Sequence, residues 1–242
     1  MARPIILCWS GGKDSVLALD RLLGDPQFEV IGLLTMLTEQ DQRVSMHGVS
    51  RELIASQASA VGHRLVTVEV PRWPVNQIYA QAFAYGIEKF EAGAACAVAF
   101  GDLFLDDIRE FREQLCGQLG RTAVFPLWGT QTTRLAGEFL KSGYRAVVCC
   151  ADPARLTAEF VGCRYDAAFL QRLPGNVDPC GERGEFHTFV TFGMGWNREI
   201  PVVSASPSLR DGFWYADLKS ASDDSSLAGS VEFSSDRELR DV

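Results

Sequence analysis

The chain has 242 residues, of which 47% are hydrophobic and 22% charged, a composition typical of a globular protein. It excludes global disorder and collagen-like repeats, and no apolar run approaches the about 18 residues that a membrane span needs. A net charge of −8 argues against binding to DNA or to an anionic membrane, because both require a basic surface.

Strands and helices alternate through the first half of the sequence. The expected strands are residues 4–9, 28–37, 64–70, 96–100 and 122–125, and the expected helices are 15–23, 49–62, 75–93 and 104–119. This alternation predicts an α/β fold with a parallel, Rossmann-like sheet. The sequence has seven cysteines but no CxxC pair, and it opens on a strand-like run rather than a signal peptide. We therefore expect a cytoplasmic protein with reduced thiols.

The pattern changes after Pro126. Helices are expected at 132–142, 156–161 and 166–173, and strands at 145–152, 187–192, 200–204 and 214–218. We interpret residues 1–125 as one α/β domain and residues 126–219 as a smaller α+β domain. Residues 220–242 are rich in serine and charge, which predicts a disordered tail.

The sharpest motif directly follows the first strand and precedes the first helix. It reads SGGKDS and consists of Ser10, Gly11, Gly12, Lys13, Asp14 and Ser15. Glycines let the backbone approach a ligand closely, and a helix N-terminus offers unpaired N–H groups to an anion. The motif predicts a phosphate-binding loop, although its spacing is neither that of a Walker A loop nor GxGxxG. A glycine turn capped by Asp14 is the simpler alternative.

A second motif, GDLFLDD, follows the fourth strand at residues 101–107. In open α/β sheets ligands bind at the carboxyl ends of the strands, where the strand order reverses. If the first and fourth strands are neighbours, Gly101 and Asp102 face the phosphate loop, where Asp102 can hold Mg²⁺. The alternative for Asp102 is a helix N-cap, and Asp106 and Asp107 suit the first turn of a helix.

A third motif, DPCGERGEFHT, spans residues 178–188. If the chain is extended from 185, Glu185 and His187 point to one face, where a carboxylate and an imidazole suit proton transfer or ammonia handling. The alternative is a hairpin with an ordinary surface Glu–His pair. His47 lies on a polar loop, where it is either a substrate or nucleotide contact or a plain loop residue. Trp73 is one of several isolated tryptophans. We expect it either to line a substrate cleft or to pack in the hydrophobic core.

SGGKDS resembles the loop of the N-type ATP pyrophosphatases. Together with GDLFLDD, the PLWG at residues 126–129 and DPCGERGEFHT, in this order, it resembles the diphthine–ammonia ligase family over residues 5–218. The resemblance implies a HUP-type ATP pyrophosphatase domain followed by a smaller domain. It also implies an ATP- and Mg²⁺-dependent ligase that adenylates a carboxylate, releases pyrophosphate and transfers ammonia.

The resemblance also implies roles for individual residues. The six loop residues 10–15 and Gly101 bind ATP, and the catalytic set is Lys13, Asp102, Glu185 and His187. The substrate side is lined by His47, Arg164, Glu182 and Thr188. Arg164 departs from the expected Gly-Arg pair, because Gly162 lies one position earlier.

The segment RVSMHG at residues 43–48 is more similar to the bacterial branch of this family, for which the acceptor is another carboxylate. Candidates are a protein-bound or small acid and a cobalamin-salvage compound. Another enzyme of the same superfamily that acts on a tRNA is a further alternative. A non-catalytic ATP-binding regulator is the alternative from a different class. The oligomeric state and the ammonia donor stay open.

Overall fold

The computed structural model describes residues 2–91, 93 and 95–221. The first half forms nine alternating elements. In chain order they are β1 (Arg3–Cys8), α1 (Lys13–Leu23), β2 (Phe28–Thr38), α2 (Arg51–Val61), β3 (Leu65–Val70), α3 (Asn76–Glu88), β4 (Ala97–Ala99), α4 (Asp106–Gln118) and β5 (Ala123–Val124). The five strands pair in parallel in the order β3-β2-β1-β4-β5. The predicted parallel α/β fold is confirmed.

The second half is built on antiparallel sheets. Its elements are α5 (Thr132–Lys141), β6 (Arg145–Ala151), a 3₁₀ turn (Ala158–Phe160), α6 (Ala167–Arg172), β7 (Phe186–Phe192), β8 (Val202–Ser204), β9 (Ser208–Arg210), β10 (Phe213–Tyr215) and β11 (Leu218–Ser220). One sheet has the order β7-β6-β10-β9 and a second pairs β11 with β8. The strand expected at 214–218 is wrong, because Asp217, at φ 45°, separates β10 from β11.

The parallel sheet has an apolar layer on each face. Because side chains alternate along a strand, Ile5 and Leu7 of β1 join one core while Ile6 joins the other. The first core continues into the second half of the chain through β6 and β7, as Val148 and Phe189 show. The second core contains residues of α3 and α4. The antiparallel half therefore packs on the α1/α2 face.

A buried glutamine connects the two sheets. Gln57 of α2 has no exposed surface, and its amide nitrogen donates to the carbonyls of Gly11, at 2.9 Å, and Val190, at 2.7 Å. Its amide oxygen accepts from the indole nitrogen of Trp9 at 2.7 Å. The backbone nitrogen of Val190 also donates to the Gly11 carbonyl at 2.9 Å. Strand β7 is therefore hydrogen-bonded to the loop that follows β1.

The predicted boundary at 125 falls just after β5, and it stays a prediction. The predicted tail at 220–242 lies outside the described residues from 222 onward. No helix in the described part of the chain is both long and apolar enough to cross a bilayer.

Replacing Gln57 tests the connection between the sheets. Gln57→Leu leaves the carbonyls of Gly11 and Val190 and the indole N–H of Trp9 without partners in a buried region. We expect it to lower the free energy of unfolding by about 3 kcal/mol in urea denaturation. The control Gln118→Leu, at an exposed helix end, should change it by less than about 0.5 kcal/mol. Equal effects of the two substitutions would show that the Gln57 amide does not hold the sheets together.

Candidate functional site

The SGGKDS loop forms a tight turn at the start of α1. Gly11 has φ +78°, and Gly12 is the N-cap of α1 without any side-chain cap. The helix begins at Lys13, two residues earlier than predicted, so the motif itself forms its first turn. Ser15 donates its hydroxyl to the Gly12 carbonyl at 2.8 Å, and the Ser10 hydroxyl accepts from the Gly12 nitrogen at 3.3 Å. This arrangement suits an anion at a helix N-terminus.

The loops after β1 and β4 face each other, as predicted. The two strands are neighbours at the point where the strand order reverses. Gly101 lies so close to the phosphate loop that a Cβ on it would stand 3.1 Å from the Asp14 carbonyl carbon. Asp106 and Asp107 lie in the first turn of α4, also as predicted. The N-cap of that helix is Leu105, so Asp102 does not cap it.

Lys13 connects the phosphate loop to the second half of the chain. Its side chain is only 2% exposed, and the ammonium donates to the Asp14 carboxylate at 2.9 Å and to the carbonyl of Cys180. Its backbone nitrogen donates to the hydroxyl of Thr188 at 3.1 Å. Thr188, predicted on the substrate side, therefore lies directly against the helix N-terminus.

Three carboxylates surround this position. Burial raises the pKa of Asp14 and of Asp102, against the opposing effects of Lys13 and Arg112 respectively. Glu182 accepts from the backbone nitrogen of Leu103 at 2.7 Å, and burial raises its pKa to about 7. Asp14 Oδ1 and Asp102 Oδ2 are buried and have no hydrogen-bond partner.

These carboxylates fit a magnesium ion that is shared with a phosphate ligand. Mg²⁺ in nucleotide sites is held by one or two carboxylates together with substrate phosphates. Asp14 Oδ1 accepts no hydrogen bond, and Asp102 Oδ2 makes only a long ion pair, 3.8 Å from Arg112 Nε, so both oxygens are available to such an ion. Among the described side chains no group of three or more His, Cys, Asp or Glu is arranged to hold a metal alone. The described side chains therefore suit an ion that is held jointly by the protein and a phosphate, rather than one held by protein ligands alone.

The carboxylate of Glu185 contacts the backbone of residues 178–183. The residue precedes β7, is 2% exposed, and its two carboxylate oxygens accept from the backbone nitrogens of Asp178, at 3.1 Å, and Arg183, at 2.9 Å. The carboxylate thus closes the turn that positions the Cys180 carbonyl and Glu182. The structure places its carboxylate in this turn, and the predicted shared face with His187 stays a prediction.

The two histidines of the site form a pair. The ring centroids of His47 and His187 are 4.4 Å apart, and His47 Nε2 would stand 3.1 Å from a Cβ on Gly12. Burial lowers the pKa of His47 to about 4 and that of His187 well below its usual value, and the positive charge of Lys13 adds to both effects. His187 Nε2 is buried without a partner. Both imidazoles beside the phosphate loop therefore favour their neutral form.

Arg164 is exposed on a segment that pairs with Val147 of β6. None of the contacts described above, among the phosphate loop, Asp102 and the 178–188 segment, involves its side chain, and its predicted substrate contact stays a prediction.

Sequence reasoning missed Gln57 and Arg112. Gln57 occupies an apolar position of α2, beside Leu53, Ile54 and Ala58 at helical spacing, and a polar residue there was the available signal. Arg112 is buried between aromatic rings, and its Nε lies 3.8 Å from Asp102. Nothing in the spacing of α4 distinguishes it from the other arginines of that helix.

Acidification tests the neutral state of the histidine pair. Unfolded histidine has a pKa of about 6.5, so below that pH the unfolded chain binds protons that the folded His47 does not. Proton binding at His47 therefore stabilises the unfolded chain and lowers the free energy of unfolding as the pH falls from 7.5 to 5.5. Glu182, with its raised pKa, acts in the opposite direction, so the informative comparison is between a variant and the parent chain.

We expect His47→Gln to make the loss over this interval smaller by about 1 kcal/mol, measured by urea denaturation at both pH values. An unchanged pH dependence in the variant would contradict a lowered pKa of His47 in the folded chain.

Comparison with known proteins identifies a family for the first half of the chain. The family model of the diphthamide synthase N-terminal domain matches residues 3–123, which is half of the chain and covers β1 to the start of β5. No curated protein matches the chain. A solved structure described as a predicted subunit of tRNA methyltransferase from Methanocaldococcus jannaschii is 17% identical, with a TM-score of 0.40, over 82% of this chain and 100% of that one. That likeness is too weak to bear on function. The chain belongs, by its matched first half, to the family of the diphthamide synthase N-terminal domain.

Proposed function

We propose that the protein is an AMP-forming ligase that activates a carboxylic acid with ATP and transfers ammonia to it. One observation supports this most strongly: a phosphate-type loop at a helix N-terminus faces two half-buried carboxylates, Asp14 and Asp102, each with one buried oxygen that accepts no hydrogen bond. The family, an ATP-utilising one of the pyrophosphatase-loop kind, agrees with the use of ATP.

In this proposal residues 10–15 bind the β and γ phosphates of ATP. The substrate carboxylate attacks the α phosphorus, the bond from that phosphorus to the bridging oxygen breaks, and pyrophosphate leaves with the electron pair. Lys13 and the N–H groups at the start of α1 stabilise the leaving charge. When bound at Asp14 and Asp102, Mg²⁺ supplies further neutralisation of phosphate charge.

Ammonia then attacks the carbonyl carbon of the acyl adenylate, the carbon–oxygen bond to AMP breaks, and the amide forms. His187 is neutral and its Nε2 lacks a partner, so it can accept the proton that the nitrogen releases. Glu182 and Thr188 border the same space from the second half of the chain. Glu185 contributes by holding the 178–185 turn, which makes it a positioning residue.

Phosphorus NMR tests the reaction type. The protein is incubated with ATP, Mg²⁺, ammonium and a panel of carboxylate acceptors that includes cobyric-acid-type compounds. We expect AMP and pyrophosphate, formed in dependence on one class of acceptor. ADP and phosphate would contradict adenylation. Stoichiometric ATP binding without AMP formation under all conditions would favour the regulatory alternative.

Lys13→Met tests the loop, since it keeps much of the side-chain length and removes the charge. We expect pyrophosphate release to fall at least about a hundredfold, the usual cost of removing one preorganised donor. The matched control is Lys141→Met at the exposed end of α5, which should be unaffected. Unchanged turnover in folded Lys13→Met would remove the phosphate-loop assignment.

His187→Asn separates chemistry from nucleotide binding. We expect amide formation to fall at least about a hundredfold, as for loss of a general base, with little change in the Kd for ATP. An equal loss of ATP binding would move His187 into the nucleotide site and contradict its role toward ammonia.

A further inference from the structure

A cavity of about 220 Å³ lies beside the site, on the opposite side of β1 from Asp102. Thr38 and Val70, the last residues of β2 and β3, form part of its lining, and Tyr215 of β10 contributes from the second half of the chain. Like the phosphate site, the cavity is therefore assembled from both halves.

Its walls are mainly apolar and aromatic. Met46, Trp73, Tyr79 and Tyr215 contribute large apolar or aromatic side chains, and the edges also include Arg43, Arg72 and Arg210. Trp73 is 64% exposed, which is unusual for a tryptophan without a partner surface. Such walls favour an uncharged ligand group, because a charge placed there would lose hydration without gaining a partner.

The charged residues around the cavity neutralise one another. Arg72 pairs with Asp41 at 2.8 Å and with Asp211. Arg210 pairs with Asp217 at 2.7 Å. None of the described buried polar atoms that lack a partner belongs to a lining residue. The charged groups at the cavity are therefore paired with one another.

Backbone strain is concentrated around the same cavity. Six described residues other than glycine have positive φ, and five of these lie in the segments that border it: Gln42, Met46, Trp73, Asp211 and Asp217. Such conformations persist where the surrounding structure enforces them, and they collect at ligand sites.

The cavity is connected to the candidate site in two ways. Met46 lines it, and the next residue, His47, packs on His187 beside Gly12. On the other side, the hydroxyl of Tyr79 accepts from Arg112 at 2.9 Å, and Arg112 lies 3.8 Å from Asp102. Two lining residues, Met46 and Tyr79, therefore connect the cavity to the site, the first through the adjacent His47 and the second through Arg112.

We propose that this cavity binds an uncharged ring carried by the carboxylic acid that the enzyme activates, so that the acid group extends past His47 toward the phosphate loop. The size agrees, because a dry cavity of about 150 Å³ already accepts benzene. The proposal rests on the proposed function for the identity of the ligand as a substrate.

The test uses 4-fluorophenylacetate as the probe, followed by fluorine NMR on the full chain, with fluoroacetate as the probe that lacks a ring. Trp73→Ala removes a wall of the cavity. Tyr85→Ala is the matched control, since Tyr85 is a 53% exposed aromatic residue of α3 outside the cavity. The Kd for α,β-methylene-ATP with Mg²⁺ is measured on the same proteins.

We expect 4-fluorophenylacetate to bind at least fivefold more tightly than fluoroacetate, and Trp73→Ala but not Tyr85→Ala to abolish that preference. The Kd for α,β-methylene-ATP should change less than twofold in both variants. Equal binding of the two probes would overturn the proposal, and so would a tenfold loss of nucleotide affinity in Trp73→Ala, which would assign the cavity to the base. Because probe binding needs no turnover, its result tests the cavity proposal independently of the ligase reaction.

Discussion

The candidate site depends on the hydrogen bonds between β7 and the loop that follows β1. Gln57 binds the carbonyls of Gly11 and Val190 at once, and Lys13 reaches the Cys180 carbonyl. Both side chains are buried, so leaving their partners unpaired is costly and the two halves hold a fixed relation. The second half thereby contributes directly to the surroundings of the helix N-terminus, and the phosphate loop is one wall of a shared site.

The electrostatic balance of that site agrees with the proposed chemistry. Asp14, Asp102 and Glu182 are partly buried, which raises the pKa of each, and the charge of Asp14 adds to the effect on the other two. Lys13 and Arg112 are the nearby cations. A polyphosphate adds further negative charge, so a divalent cation is the natural companion of such a ligand here. On the other side of β1 the charges are paired and the walls are apolar, which suits a different part of the substrates.

Much of this could be predicted from the sequence. Regular alternation gave the parallel sheet, and the glycines and serines of SGGKDS gave the loop, because both depend on local patterns. The role of Glu185 could not be predicted from its spacing to His187, since its partners are backbone nitrogens of the preceding turn. The same holds for Gln57, Arg112 and the cavity beside Trp73. These depend on contacts between segments far apart in the chain, which no single motif encodes.

The most direct test of the account is a crystal structure with α,β-methylene-ATP and Mg²⁺. The account predicts the β and γ phosphates at the N-terminus of α1, in contact with residues 10–15 and facing Thr188, with the metal between phosphate oxygens and the carboxylates of Asp14 and Asp102. A triphosphate bound away from this loop, with the metal coordinated elsewhere, would contradict it.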